Sequence, residues 1–438
     1  MECGGLPPLS LATLASRMAG LLYEHTRSRE ASLAKKKAQA SLRTPKVYCV
    51  LRSRGILETA SMTESTKHDN VFRLCYAAAH VVLKGDYFDV PHRHDAPGDA
   101  DEIAEYMDWD ATMAYRTHLD SLGFGIAEAM DTAQRFSLGW TSARQLIERC
   151  AALNLKNGFV AGAGYDQSPN PSSTTELIDV VIEQAVFIED LGGEVILLPM
   201  PWLTANNASS STYVEVYKEI IRPLNGPVFT HWLGEAFMPA LKGYFPGDSF
   251  YDVMVLDPAK IRGAKISLLD ADIERRIRTR LLQSDQILLT GDDFNFGDLI
   301  RGSDATTSRT TQVGKRRVPI GDFSHALLGI LDAIAEPVSR ALTLLEEGDT
   351  AGYNEIMTPC EELGCWIFQE PTQFYKSGLA FLSWLNGMQG NPMLVNHEER
   401  CRSEEYYRKT AELAQRAGAI QDSTAINDRL KTLSEFIT

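Results

Sequence analysis

The sequence has no Gly-x-Gly-x-x-Gly and no Walker A stretch, so it lacks the two glycine-rich cradles that usually mark a nucleotide-binding fold. No apolar run approaches the ~20 residues that a membrane-spanning helix needs. No segment recurs with a period of ~20–50 residues, which argues against a solenoid. Cysteine is sparse: seven in 438 residues, at 3, 49, 75, 150, 360, 365 and 401, with no Cys-x-x-Cys pair. An odd count without paired spacing speaks against zinc fingers and for free thiols in a reducing, cytoplasmic compartment. An excess of positive charge is lacking too. The net charge of −15 argues against nucleic acid as a partner, because binding phosphates takes clustered Lys and Arg.

Hydrophobic residues make up 44% of the chain and charged ones 23%, an ordinary globular composition with room for a ~250-residue barrel and extensions. The first 61 residues stand apart, with ten Lys or Arg against four Asp or Glu. A basic, Ser-rich segment of this kind resembles a mitochondrial presequence. Glu2, Glu24 and Glu30 and the lack of an amphipathic stripe count against that reading. A true start near Met62, or a disordered tail, is the alternative. Residues 1–69 are therefore expected to be an extension, 70–345 a barrel and 346–438 a helical extension.

From residue 72 short apolar runs alternate with helical periodicity, the pattern of a parallel sheet with crossover helices. Strands are expected at 72–82, 124–130, 158–164, 194–198, 227–232, 262–267 and 286–290, and an eighth near 318–324. Helices are expected between them and throughout the chain after His325. The Ser-, Thr- and Arg-rich segment 302–321 reads as a mobile insertion, a candidate lid. Eight strands in this order predict an α/β fold, a (β/α)₈ TIM barrel with a C-terminal helical extension.

Barrel active sites sit at the C-terminal ends of the strands. The ionisable residues expected there are His80, Glu128, Asp131, Tyr165, Asp166, His231, Glu235, Lys265, Asp292 and Asp293. Lys265 lies inside an apolar strand, Ile-Arg-Gly-Ala-Lys-Ile-Ser. Burial lowers a lysine's pKa and frees the amine to attack a carbonyl, and the iminium that forms is an electron sink. A structural ion pair with Asp292 or Glu128 is the competing account. His231 ends a strand, and an ordinary imidazole pKa of ~6.5 suits proton transfer. His92 and His94 read as solvated loop residues. Lys376 reads as a rival nucleophile placed on a C-terminal helix, with a rim role favoured. Phe374, Tyr375, Phe381, Trp384 and Leu385 repeat at helical spacing, as core or subunit packing requires.

The segment Gly263-Ala-Lys265-Ile-Ser-Leu-Leu-Asp270 resembles strand six of the dihydrodipicolinate synthase and N-acetylneuraminate lyase superfamily, whose lysine forms a Schiff base. Gly291-Asp292-Asp293 resembles its strand-seven Gly-Asp-Asp, and Gly162-Ala-Gly164 its strand-three glycines. A closer resemblance, over residues ~70–435, is to a bacterial family placed beside these aldolases. It rests on Asp108-Trp-Asp-Ala-Thr, Ala127-Glu-Ala-Met-Asp-Thr-Ala-Gln-Arg135, His231-Trp-Leu-Gly-Glu235, Thr290-Gly-Asp-Asp-Phe294, Ala326-Leu-Leu-Gly-Ile330 and Phe374-Tyr-Lys-Ser-Gly378. The resemblance implies a lyase of the Schiff-base aldolase type, acting on a small carbonyl compound by aldol or retro-aldol cleavage or dehydration. It needs no cofactor, and its helical extension suits a homo-oligomer. Lys265 would be the nucleophile, His231 or Tyr165 the proton carrier, and Glu128, Asp131, Asp292, Asp293, Glu235 and His80 would bind substrate.

Departures from the superfamily pattern point away from a pyruvate-type substrate. The stretch after strand four is Pro199-Met-Pro-Trp-Leu203, without the superfamily's proton-relay tyrosine. Its carboxylate-binding strand-two motif is replaced by Ala-Glu-Ala-Met-Asp-Thr, whose acids repel a carboxylate. Asp residues expected in the closer family near Met238 and His325, and a His near Gln389, are absent. Two alternatives follow. One is a metal-dependent isomerase or hydrolase on a sugar-like substrate, a divalent ion being held by Glu128, Asp131, His231 and Asp292. The other is a non-catalytic barrel used for binding.

Overall fold

The computed structural model describes residues 69–303, 307, 309–420 and 423–437. The expected basic extension, apart from its last residue, lies outside the described residues. Eight parallel strands close into a barrel: β1 (Cys75–Ala78), β2 (Gly125–Glu128), β3 (Phe159–Ala163), β4 (Glu194–Leu197), β5 (Val228–Leu233), β6 (Ile261–Ser267), β7 (Ile287–Thr290) and β8 (His325–Leu328). Closure comes from β8, which pairs with β7 on one side and β1 on the other. The strands are almost wholly buried because helices cover their outer faces, which is why they read as continuous apolar runs rather than alternating ones. The barrel interior is filled by Tyr76, Val160, Ile196, Phe229, Ile287 and Leu327, so it is a packed core and not a pore.

Helix entry is specified locally. Where two acids could cap one helix, a single carboxylate does so: Asp108 Oδ1 accepts from Ala111 N at 3.0 Å, and Asp270 Oδ1 from Asp272 N and Ile273 N at 3.0 and 2.9 Å. The latter cap, with Leu269 at φ 55°, turns the chain sharply out of β6 just past Lys265. Between β1 and β2 the segment 84–108 carries a 3₁₀ turn at Gly85–Asp89 and a short helix at Ala100–Ala104. No helix among the described residues is long and apolar enough to cross a membrane.

Two expectations fail around residues 302–328. The eighth strand is not at 318–324 but at His325–Leu328, in what the sequence reading made helical. The preceding strands Thr310–Val313 and Arg316–Pro319 form an antiparallel hairpin instead. Nor is that hairpin a lid. Arg316 bonds to Tyr76 Oη and Glu194, and to Asn157 O at 3.1 Å, groups at the N-terminal ends of β1 and β4 and just before β3. Val313, Val318 and Ile320 join the interior core. The hairpin thus plugs the N-terminal end of the barrel, opposite the C-terminal ends of the strands. Its apolar residues are buried among the strands' side chains, whereas the composition of the segment had suggested only polarity.

Helices Leu331–Glu346, Thr350–Ile367, Lys376–Leu385, Glu404–Arg416 and Ser423–Ile437 follow the barrel. Phe374, Tyr375, Phe381, Trp384 and Leu385 are all buried within this one chain. The aromatic stripe is therefore core, and it offers no face for a second subunit.

Candidate active site

At the C-terminal ends of the strands lies a small cavity of about 40 Å³, room for a few waters. Each charged residue in its lining has a distinct origin. Lys265 comes from β6, Asp131 from the turn after β2, and Asp293 from the turn after β7. His231 of β5 stands directly beside Lys265 in register. Ser267, Thr132 and Tyr375 add hydroxyls, and Phe136, Phe237 and Phe368 form apolar walls.

Lys265 is 9% exposed and has neither an ion pair nor a hydrogen bond among the described residues. Burial lowers its pKa to about 8, against a pull upward from the Asp293 and Asp131 carboxylates. Asp293 shifts the other way: burial raises its carboxyl to about 7, although Ile330 N–H donates to Oδ1 at 2.9 Å and the Lys265 cation favours the carboxylate. The site thus holds an amine and an acid that can each change charge near neutral pH. Gly291 makes room for this arrangement. A Cβ there would stand 2.8 Å from Lys265 Cε and closer still to Ser267 Oγ, so the glycine of the Gly-Asp-Asp motif serves close approach. Left-handed Ala129 (φ 51°) and Gln134 (φ 52°) bracket the segment that presents Met130, Asp131 and Thr132 to the cavity.

Several sequence expectations need correction. His231 does line the cavity, but burial and then the Lys265 charge hold its ring well below the usual histidine pKa. Its Nε2 lies 3.2 Å from Ser267 Oγ, and its Nδ1 has no hydrogen-bond partner. Tyr165 is outside the cavity lining, and its hydroxyl accepts from Trp202 N at 3.2 Å. Glu128 is fully buried and clamped by Arg116 through both oxygens, at 2.7 and 2.9 Å. Asp292 accepts from Phe294 N, Asn295 N and Asn295 Nδ2 and so fixes the turn after β7. His80 is fully buried between Asp332 Oδ2 at 2.7 Å and Gln389 Oε1 at 2.6 Å. Glu235 is exposed and outside the lining. Glu128, Asp131, His231 and Asp292 therefore do not converge, and no cluster of three or more His, Cys, Asp or Glu side chains suited to a metal occurs among the described residues.

Lys376 is buried beside the site, with Nζ 3.2 Å from Asp131 Oδ2 and 3.9 Å from Glu398 Oε2. His92 is buried, not solvated: Nδ1 lies 3.2 Å from Tyr87 Oη and Nε2 3.4 Å from Glu102. The described cysteines are free thiols. Sequence reasoning missed Thr132, Ser267 and Tyr375. Ser267 had a signal, two residues after Lys265 on the same strand face. Tyr375 had none, because only folding carries the helical extension to the mouth.

A family model described as a protein of unknown function (DUF993) matches residues 45–437. No curated protein sequence matches the chain. Among solved structures, the chain is similar to dihydrodipicolinate synthase from Acinetobacter baumannii complexed with pyruvate, at 16% identity and TM-score 0.52, over 80% of this chain and 100% of that one. It is also similar to a prophage protein of the dihydrodipicolinic acid synthase family from E. coli K12 in complex with pyruvate, at 12% identity and TM-score 0.53, over 78% and 99%. N-acetylneuraminate lyase from Fusobacterium nucleatum, complexed with pyruvate, matches at 14% identity and TM-score 0.51, over 78% and 96%. Likeness at such identities is likeness of fold.

Proposed function

The chain belongs to the DUF993 family of proteins of unknown function, and on that footing we propose that it is a lyase which forms an imine between Lys265 and a small carbonyl substrate. The observation that carries the reading is the Lys265 amine itself, buried at the C-terminal end of a barrel without a hydrogen bond or ion pair among the described residues, although the Asp293 and Asp131 charges reach it. A lysine left in this state costs stability, which a purely structural residue has no reason to incur. The free amine adds to a carbonyl carbon to give a carbinolamine. Asp293 then protonates the departing hydroxyl, water leaves, and an iminium forms. That cation weakens the adjacent C–H or C–C bond, so aldol or retro-aldol cleavage comes first and dehydration second.

Pyruvate is bound by the similar structures, but its carboxylate would here meet Asp131 and Asp293. A neutral ketone or aldehyde, or one bearing an amine, suits this lining better. No cofactor enters the scheme. A homo-oligomer is kept as part of the proposal, on surfaces other than the buried aromatic stripe.

The test is reductive trapping. The protein is incubated with a panel of aldehydes, ketones, keto sugars and 2-oxo acids, borohydride is added, and peptides are mapped by mass. An adduct on Lys265, lost in Lys265→Ala, is expected. An adduct on Lys376 alone would move the chemistry to the helical extension. No adduct with any carbonyl, in a protein that carries a stoichiometric divalent ion, would overturn the imine reading in favour of metal chemistry.

A further inference from the structure

Iminium chemistry needs somewhere for the substrate's proton to go. Two groups line the cavity beside Lys265. His231 is held neutral with its Nε2 at Ser267, and Asp293 serves the loss of water. The cavity is also lined by Tyr375, a phenol that the helical extension delivers. Its ring is fixed by stacking on Phe368, with centroids 4.3 Å apart and planes at 17°. Its hydroxyl lies 2.8 Å from Thr132 Oγ1. The Asp131 carboxylate lines the same cavity, close enough to the phenol to add to the upward pull of burial on its pKa. Asp131 in turn is held by Lys376, a lysine only 5% exposed, at 3.2 Å.

Resting on the imine reading of Lys265, we infer that Tyr375 and Asp131 form the proton relay of this site, with Thr132 and Lys376 as positioning residues. When Thr132 donates to the phenol oxygen, the phenol's own proton is free to turn toward Asp131. The C–H bond next to the iminium then breaks. Its electron pair becomes the C=C bond of an enamine, and the C=N π pair returns to nitrogen. The proton arrives on the Tyr375 oxygen as the phenol's proton passes to the Asp131 carboxylate. A cation and an anion are converted to a neutral enamine and a neutral acid, and the reverse transfer returns the proton.

Acetone in D₂O supplies the test, because imine formation and proton removal are read separately on one probe. Cyanoborohydride trapping with peptide mapping reports the Lys265 adduct, and proton NMR reports deuterium entering the methyl groups. Tyr375→Phe keeps the ring and its stacking, so the fold is preserved. It is expected to keep the adduct while exchange falls by about 100-fold, the scale of a lost acid–base group. Thr132→Val is expected to lower exchange by a smaller factor and Thr132→Ser to restore it. Adduct and undiminished exchange in Tyr375→Phe would overturn the relay and leave the imine intact. Wild-type adduct without exchange would do the same, as would joint loss of adduct and exchange in folded Tyr375→Phe. Absence of any wild-type adduct would overturn the imine reading itself, and the relay with it.

Discussion

Burial brings Lys265 and Asp293 near the point of charge change from opposite sides, so pH acts on them in opposite directions. The Lys265 amine is protonated below about 8, and only the neutral form attacks a carbonyl. Asp293 gives its proton to the departing hydroxyl only below about 7, so initial rates of cyanoborohydride trapping are expected to pass through a maximum between about 7 and about 8 and fall on either side. A rate flat from pH 6 to 9 would show that Lys265 is not the attacking amine. In folding, the burial cost of the Lys265 charge is present in full below its folded pKa of about 8 and fades as pH rises toward the ordinary value of 10.5. Asp293 has the opposite sign: its carboxyl binds protons more tightly folded than unfolded, so stability is lost as pH rises from 3.8 through about 7. Asp293→Asn is expected to flatten that decline in urea unfolding measured from pH 4 to 7. An unchanged slope would place the titration elsewhere.

Glu128 is also a residue-scale matter, since a carboxylate at a strand end reads the same whether it faces substrate or an arginine. It is fully buried against Arg116, whose Nη1 also donates to His80 O at 2.6 Å. Truncation leaves an uncompensated guanidinium in the interior. Glu128→Ala is expected to cost about 3–5 kcal/mol in urea unfolding, with Lys265 trapping per folded molecule unchanged. Loss of trapping with little loss of stability would return Glu128 to the substrate.

Among the elements, the hairpin at Thr310–Val313 and Arg316–Pro319 departs most from its sequence reading. As a plug it contributes stability, whereas a lid would gate access. Ile320 is 2% exposed in the barrel interior, and Ile320→Ala is expected to cost about 2–5 kcal/mol without altering the trapping rate of the folded fraction. A changed trapping rate at full stability would restore the lid. The strands from β1 to β7 were legible because each is an apolar run followed by a helical period. The eighth strand escaped: His325–Leu328 is four residues long and adjoins helix Leu331–Glu346, so its apolar residues merge into the helical pattern. The hairpin's Val and Pro residues then stood in for it.

For the whole molecule, the sequence by itself determined the barrel, because parallel strands buried on both faces and crossover helices leave a pattern that few other folds share. It also determined Lys265 as the unusual residue, since an ionisable group inside an apolar strand conflicts with its surroundings wherever it points. Only the tertiary structure decided which strand-end acids line the cavity. Asp131 and Asp293 face the cavity, while Glu128 and Asp292 turn to an arginine and to backbone amides. It also decided that the helical extension brings Tyr375 and Lys376 to the mouth from some 110 positions beyond Lys265. The reason is physical. A strand's local pattern reports burial, which each residue carries in its own chemistry, whereas the direction of a side chain and the partner it meets depend on contacts between segments that the linear order does not record.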